Sequence, residues 1–151
     1  MPTLQLIIRV CIFVLAMLGH FVGDYLLQNA WMATGKSKPG WPGHFACSVH
    51  VLLYTLAIAV FTGIWNPWFL LVVATPHWLI DRTSFAWTFL RFKNGYSERE
   101  VWTKAPVCAQ PAPDLLERNV WKTSFAAFVY VVNDNTMHWV CLWLTILYFV
   151  R

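Results

Sequence analysis

Seven histidines and aspartates stand inside otherwise apolar stretches of the chain: His20, Asp24, His50, His77, Asp81, Asp134 and His138. Six of them form pairs spaced four apart, His20/Asp24, His77/Asp81 and Asp134/His138. On a helix each pair shares one face, one turn apart. Neutral imidazole nitrogen and carboxylate oxygen are ligand atoms for zinc, manganese and iron(II). Helical bundles build such sites from inward His and carboxylate pairs on facing helices. Seven candidates exceed the four ligands of a structural zinc, which leaves room for two ions or for one ion with carboxylates orienting its ligands. Two ions about 3.5–4 Å apart would activate water and clamp a phosphoryl oxygen. Gln28 continues the His20/Asp24 face, Tyr54 stands four after His50, and Asn133 and Asn135 flank Asp134. These four are the neighbours placed to orient ligands.

Two other chemistries use the same residues. Each His/Asp pair can hydrogen-bond along its own helix and serve only the bundle's stability. A His/Asp chain at depth can also relay protons or cations. His44 falls at the expected interface and reads as a solvated end residue. Arg9, eleven residues before His20, returns to nearly the same face; it either snorkels outward or leads an anion inward.

The chain around these residues has 151 residues, of which 58% are hydrophobic, 12% charged and 17% aromatic, with ten Trp. A domain this small has a high surface-to-volume ratio and needs more polar residues than that to cover itself in water. The composition excludes a soluble enzyme, a disordered tail and a disulfide-rich secreted module. The net charge of +4 is carried on connecting segments and not on one continuous basic run, so no nucleic-acid partner is expected. Cys11, Cys47, Cys108 and Cys141 have no CxxC spacing.

Four apolar stretches, about 3–27, 44–62, 68–89 and 120–150, each approach the roughly 20 residues that a bilayer core requires. The expected fold is all-α, a single polytopic domain over 1–151 built as an antiparallel bundle of four transmembrane helices. The first stretch lacks a basic leader and an A-x-A cleavage site, so it reads as a retained helix. The Ala33–Gly43 linker and the Asn66-Pro67 pair turn the chain, and Asp114 with Glu117 forms a D-x-x-E variant of the capping box before the last helix. Lys36, Lys38, Arg91, Lys93, Arg99, Lys104, Arg118 and Lys122 all fall on the first and third connections. The positive-inside rule puts those connections in the cytoplasm and both termini on the outer, periplasmic side of a bacterial inner membrane. Trp65 and Trp68 suit one aromatic belt, and Trp31, Trp41, Trp87 and Trp121 the other.

Depth ties the chemistry to these elements. Counted at about 1.5 Å per residue from the outer end of each stretch, His77 lies roughly 15 Å deep, and His50, Asp81 and His138 roughly 20 Å. His20 and Asp134 come to roughly 25 Å and Asp24 to about 30 Å. Four helices thus bring His or Asp to one layer in the cytoplasmic half. Intramembrane acids are costly and mark function.

His20 to Lys36 (HFVGDYLLQNAWMATGK), His50, His77 to Arg82 (HWLIDR) and Asn133 to His138 (NDNTMH) resemble a domain-of-unknown-function family of small polytopic membrane proteins from bacteria and tailed phages. The resemblance implies that His20, Asp24, Gln28, His50, His77, Asp81, Asp134 and His138 carry over as the site. In many members Gln follows the acid of the last motif, where Asn135 stands here. A looser analogy, in the ordering of His and Asp across short spans, is to membrane-bound metal-dependent hydrolases related to zinc phospholipases. The combined expectation is a divalent metal, zinc before manganese or iron, at a site hydrolysing a lipid-linked phosphoester. The alternatives are an ion or proton conduit and a non-enzymatic protein that binds a membrane-protein partner, through the 91–119 segment, or a second copy of itself.

Overall fold

The computed structural model describes residues 2–94 and 113–150, with side chains over 3–93 and 127–150. Its elements are α1 (Pro2–Phe21), a π-helical turn (Val22–Leu26), α2 (Ala30–Gly35), α3 (Trp41–Thr62), α4 (Pro67–Thr83), α5 (Phe85–Asn94) and α6 (Pro113–Phe149). The described residues contain no strand. Cys11, Cys47 and Cys141 are free thiols. Cys108 and residues 95–112 of the third connection lie outside the described residues, as do the side chains of the Asp114/Glu117 cap.

Local chemistry sets the helix ends. Asn29 caps α2, its side chain accepting from the Met32 amide at 2.9 Å. Asn66 accepts from the amides of Trp68 and Phe69, and Pro67 opens α4 where its missing N–H costs nothing. α3 ends on Gly63, whose φ of 69° gives the left-handed cap that glycine adopts without strain. Ser84 takes the same role after α4 at φ 49°. That cap divides the third apolar stretch, and α4 stops after 17 residues with α5 as a separate helix. Among the described residues, two segments, Thr3–Leu26 and Trp41–Thr62, are long and apolar enough to cross a membrane.

The chain forms two compact units, residues 1–84 with 137–151 and residues 85–136. In the first, Ala16, Tyr54, Ile58, Phe69, Val73, Leu142 and Ile146 make the core. α1 and α3 approach at backbone distance: a Cβ on Gly19 would lie 3.0 Å from the Ile58 Cα, and one on Gly23 would lie 2.9 Å from the Tyr54 Cα. Gly19 and Gly23 form a G-x-x-x-G pair, the small-residue spacing that lets two helices meet closely. Arg9 Nε donates to the Val150 carbonyl at 2.8 Å, joining α1 to the end of α6 and satisfying an otherwise orphaned carbonyl. In the second unit, Trp87 and Tyr130 stack with ring centroids 4.6 Å apart, and the Asn133 amide donates to the Ala86 carbonyl at 3.3 Å.

Candidate metal centre

The π-helical turn is the local feature that places Asp24. Its hydrogen bonds reach five residues back, as from the Leu27 amide to the Val22 carbonyl at 2.9 Å. Such a turn holds one residue more than an α-turn and is frequent at functional sites. Asp24 stands inside it among three imidazoles. Its Oδ2 lies 3.3 Å from His20 Nδ1, while Oδ1 lies 3.3 Å from His50 Nε2 and 3.4 Å from His77 Nε2.

Asp81, one turn after His77 on α4, closes the cluster from the other side. Its Oδ2 is 3.1 Å from His50 Nε2 and 3.4 Å from His77 Nε2, and its Oδ1 is 3.7 Å from His138 Nε2. The two Nε2 atoms of His50 and His77 are themselves 3.1 Å apart. Each carboxylate therefore faces the His50/His77 pair with one oxygen and a further imidazole with the other. The rings of His20 and His138 approach with centroids 5.6 Å apart. His20, His50, His77, Asp81 and His138 are buried, all at 6% exposure or less.

These separations suit a metal. Ligand atoms about 2.0–2.2 Å from a tetrahedral ion stand about 3.3–3.6 Å from one another. The triangle of His50 Nε2, His77 Nε2 and Asp81 Oδ2 has edges of 3.1, 3.1 and 3.4 Å. The triangle on the same His pair with Asp24 Oδ1 has edges of 3.1, 3.3 and 3.4 Å. Either is close to one face of such a coordination shell. The His20, Asp24 and His77 ligand atoms also lie within 4.8 Å of one another, a second grouping that shares Asp24 and His77. The donor set, imidazole and carboxylate with no thiolate, suits zinc, manganese and iron(II) alike.

Ring packing orients the imidazoles. His50 Nδ1 and His77 Nδ1 are buried with no hydrogen-bond partner, and the His77 ring is held by its neighbours' faces. Tyr54 stacks on His77 at 3.6 Å, and His77 stacks on His138 at 4.1 Å. Tyr54 also meets His20 edge-on at 5.7 Å. Its part in the cluster is thus that of a ring wedged between two histidines. Gln28 Oε1 accepts from Lys36 Nζ at 3.1 Å.

Asp134 lies on α6 one turn before His138 and belongs to the second unit. There the Asn133 amide donates to the Ala86 carbonyl and the Asn135 amide to the Val131 carbonyl. His44 is exposed, accepts from Arg82 Nε at 3.3 Å and stacks on Trp78.

Lys36 is the residue that hydropathy and topology overlook. It reads as one of the basic loop residues that orient the chain, yet its ammonium donates to Asp81 Oδ2 at 2.9 Å. The missing signal was charge balance. Two carboxylates packed among imidazoles, Asp81 buried and Asp24 half-buried, call for a cation, because an unpaired buried carboxylate costs several kcal/mol.

No curated protein and no solved structure is significantly similar to the chain. The family model described as a protein of unknown function, DUF3307, matches residues 12–151, and the chain belongs to that family.

Proposed function

We propose that the chain is a polytopic membrane protein of four transmembrane helices whose His/Asp cluster binds a divalent metal ion, zinc before manganese or iron, and hydrolyses a lipid-linked phosphoester. The observation that carries the reading is the pair of ligand triangles built on His50 and His77, with Asp81 on one and Asp24 on the other. An ion held there would supply Lewis-acid activation of water at neutral pH. The residues' own work is to hold that ion, keep the imidazoles in register and admit the ester at the Lys36 end of the first unit.

Several features support the membrane setting. Leu18 on α1, Leu52, Leu56 and Val60 on α3, and Leu71 and Val72 on α4 are exposed, as lipid-facing side chains are. α4, at 17 residues, is at the short end of what spans a bilayer core. The Arg9–Val150 contact favours both termini on one side. With Lys36, Lys38, Arg91 and Lys93 on the connecting segments, the positive-inside rule makes that side periplasmic in a bacterial inner membrane. The site then faces the cytoplasmic headgroup layer, and the bilayer is both partner and source of substrate. A conduit fits less well, because Ala16, Ile58, Phe69, Val73, Leu142 and Ile146 form an apolar layer next to the cluster.

The test is hydrolysis of phospholipid in vesicles by protein stripped with chelator and reloaded with zinc. Activity that returns with zinc and is lost in His77→Ala is the expected result. Activity indifferent to both chelation and His77→Ala would refute the hydrolase reading.

A further inference from the structure

The two helices that carry His50, His77 and Asp81 bear a second set of polar side chains on other faces. On α4, Trp78 and Arg82 follow His77 and Asp81 by one residue each, about 100° further round the helix. On α3, His44 and Ser48 are one turn apart and exposed. The two pairs meet as a ladder. Trp78 stacks on His44 with ring centroids 5.8 Å apart and planes 11° apart, and its Nε1 donates to Ser48 Oγ at 3.3 Å. Arg82 Nε donates to His44 Nδ1 at 3.3 Å. Trp41, 85% exposed, meets His44 edge-on at 6.3 Å.

Arg82 is the telling member of this ladder. A guanidinium gains most from a carboxylate or phosphate that takes its N–H groups in pairs. Here Nε is engaged by a histidine, which fixes the plane of the group, and the two Nη groups have no acceptor among the described residues. Away from the helix ends the same faces turn apolar. Leu52, one turn beyond Ser48 on α3, and Leu71, two turns before Trp78 on α4, are both exposed. The polar end adjoins the connection that carries Lys38, the side on which basic residues meet anionic headgroups. A cation among aromatic rings at one end and leucines beneath it match one class of molecule: a phospholipid, with its phosphate above and its acyl chains below.

We propose that the Arg82, His44 and Trp78 ladder binds the phosphate of an anionic phospholipid. The Nη groups of Arg82 donate to the phosphoryl oxygens, His44 orients the guanidinium, Trp41 and Trp78 lie at headgroup level, and the acyl chains follow Leu52 and Leu71. The proposal rests on the membrane setting proposed above and is independent of any metal. It places a lipid on the outside of the α3 and α4 pair, on a different face from the His/Asp cluster.

The experiment is native mass spectrometry of the full chain in detergent, titrated with phosphatidylglycerol or with diacylglycerol of the same acyl chains, on wild type, Arg82→Gln and Arg82→Lys. Wild type should bind phosphatidylglycerol about tenfold more tightly than diacylglycerol. Arg82→Gln should lose that preference. Arg82→Lys keeps the charge but not the paired donors or the bond to His44, and should bind phosphatidylglycerol about threefold or more weakly than wild type. His44→Ala, on the other helix, should weaken it about threefold and takes the place of Arg82→Gln if that variant loses helix content by circular dichroism. Equal binding of the two lipids by wild type, or a preference unchanged in both Arg82→Gln and His44→Ala, would overturn the proposal and leave the membrane setting standing. Arg82→Lys binding as tightly as wild type would overturn the paired recognition in favour of charge attraction alone. Displacement of the lipid by equimolar diethyl phosphate would assign the site to a free phosphodiester and overturn the lipid. Recovery of the chain in the soluble fraction without detergent would overturn the membrane setting as well.

Discussion

Two layers of the first unit are built on opposite terms from the same helices. In one, Ala16, Ile58, Phe69, Val73, Leu142 and Ile146 meet as an apolar core. In the other, His20, His50, His77, Asp81 and His138 are just as buried and entirely polar. The layers are one turn apart on three helices: Ala16 precedes His20, Val73 precedes His77, and Leu142 follows His138. On α3, Tyr54 stands between His50 and Ile58 and packs with both layers. The apolar layer fixes the register of the helices, and the polar layer spends that register on bringing nitrogen and oxygen atoms together at near-coordination distances. Stability and chemistry should therefore respond separately to substitution.

The largest effect should come from the polar layer. Asp81→Ala removes the oxygens that face His50, His77, His138 and Lys36. Since even supporting groups around a metal cost 10–100-fold, loss of this ligand should weaken zinc binding by about 100-fold or more, read by competition with a chromogenic chelator. Phe69→Ala is the opposite case. It should cost about 3–5 kcal/mol in a detergent unfolding titration, with zinc affinity held within about threefold. A large loss of zinc from Phe69→Ala would show that the two layers are not separable.

Gly23→Ala lies where the layers join, beside Asp24 and against the Tyr54 backbone. Forcing α1 from α3 should cost about 1–3 kcal/mol and weaken zinc as well, so both readouts should move. The smallest effect belongs to Arg9→Ala, far along α1 from the cluster. Losing its bond to Val150 should cost about 1 kcal/mol and leave zinc binding unchanged.

Much of this arrangement follows from residue type and spacing. Apolar length alone locates α1 and α3, and counting turns from the outer end of each apolar stretch brings His20, His50, His77, Asp81, Asp134 and His138 toward one depth. Three features escape that arithmetic. Hydropathy runs on through Phe85, Ala86 and Trp87, so the break after α4 depends on the backbone of Ser84, whose left-handed φ leaves no trace in an apolar average. The π-helical turn at Asp24 is likewise a matter of hydrogen-bond register. Lys36 sits in a polar linker, and its inward turn depends on Gly35 and Gly43 closing the connector onto its neighbours. The Gly19/Gly23 spacing was open to view as a close-packing signal between membrane helices.

The most direct test of the metal centre is the zinc, manganese and iron content of detergent-purified wild type, Phe69→Ala and Asp81→Ala, measured by elemental mass spectrometry. The geometry predicts about one or two ions per chain in wild type and Phe69→Ala and none retained by Asp81→Ala. Equal metal in all three proteins, or none in wild type after each ion has been added back, would contradict it.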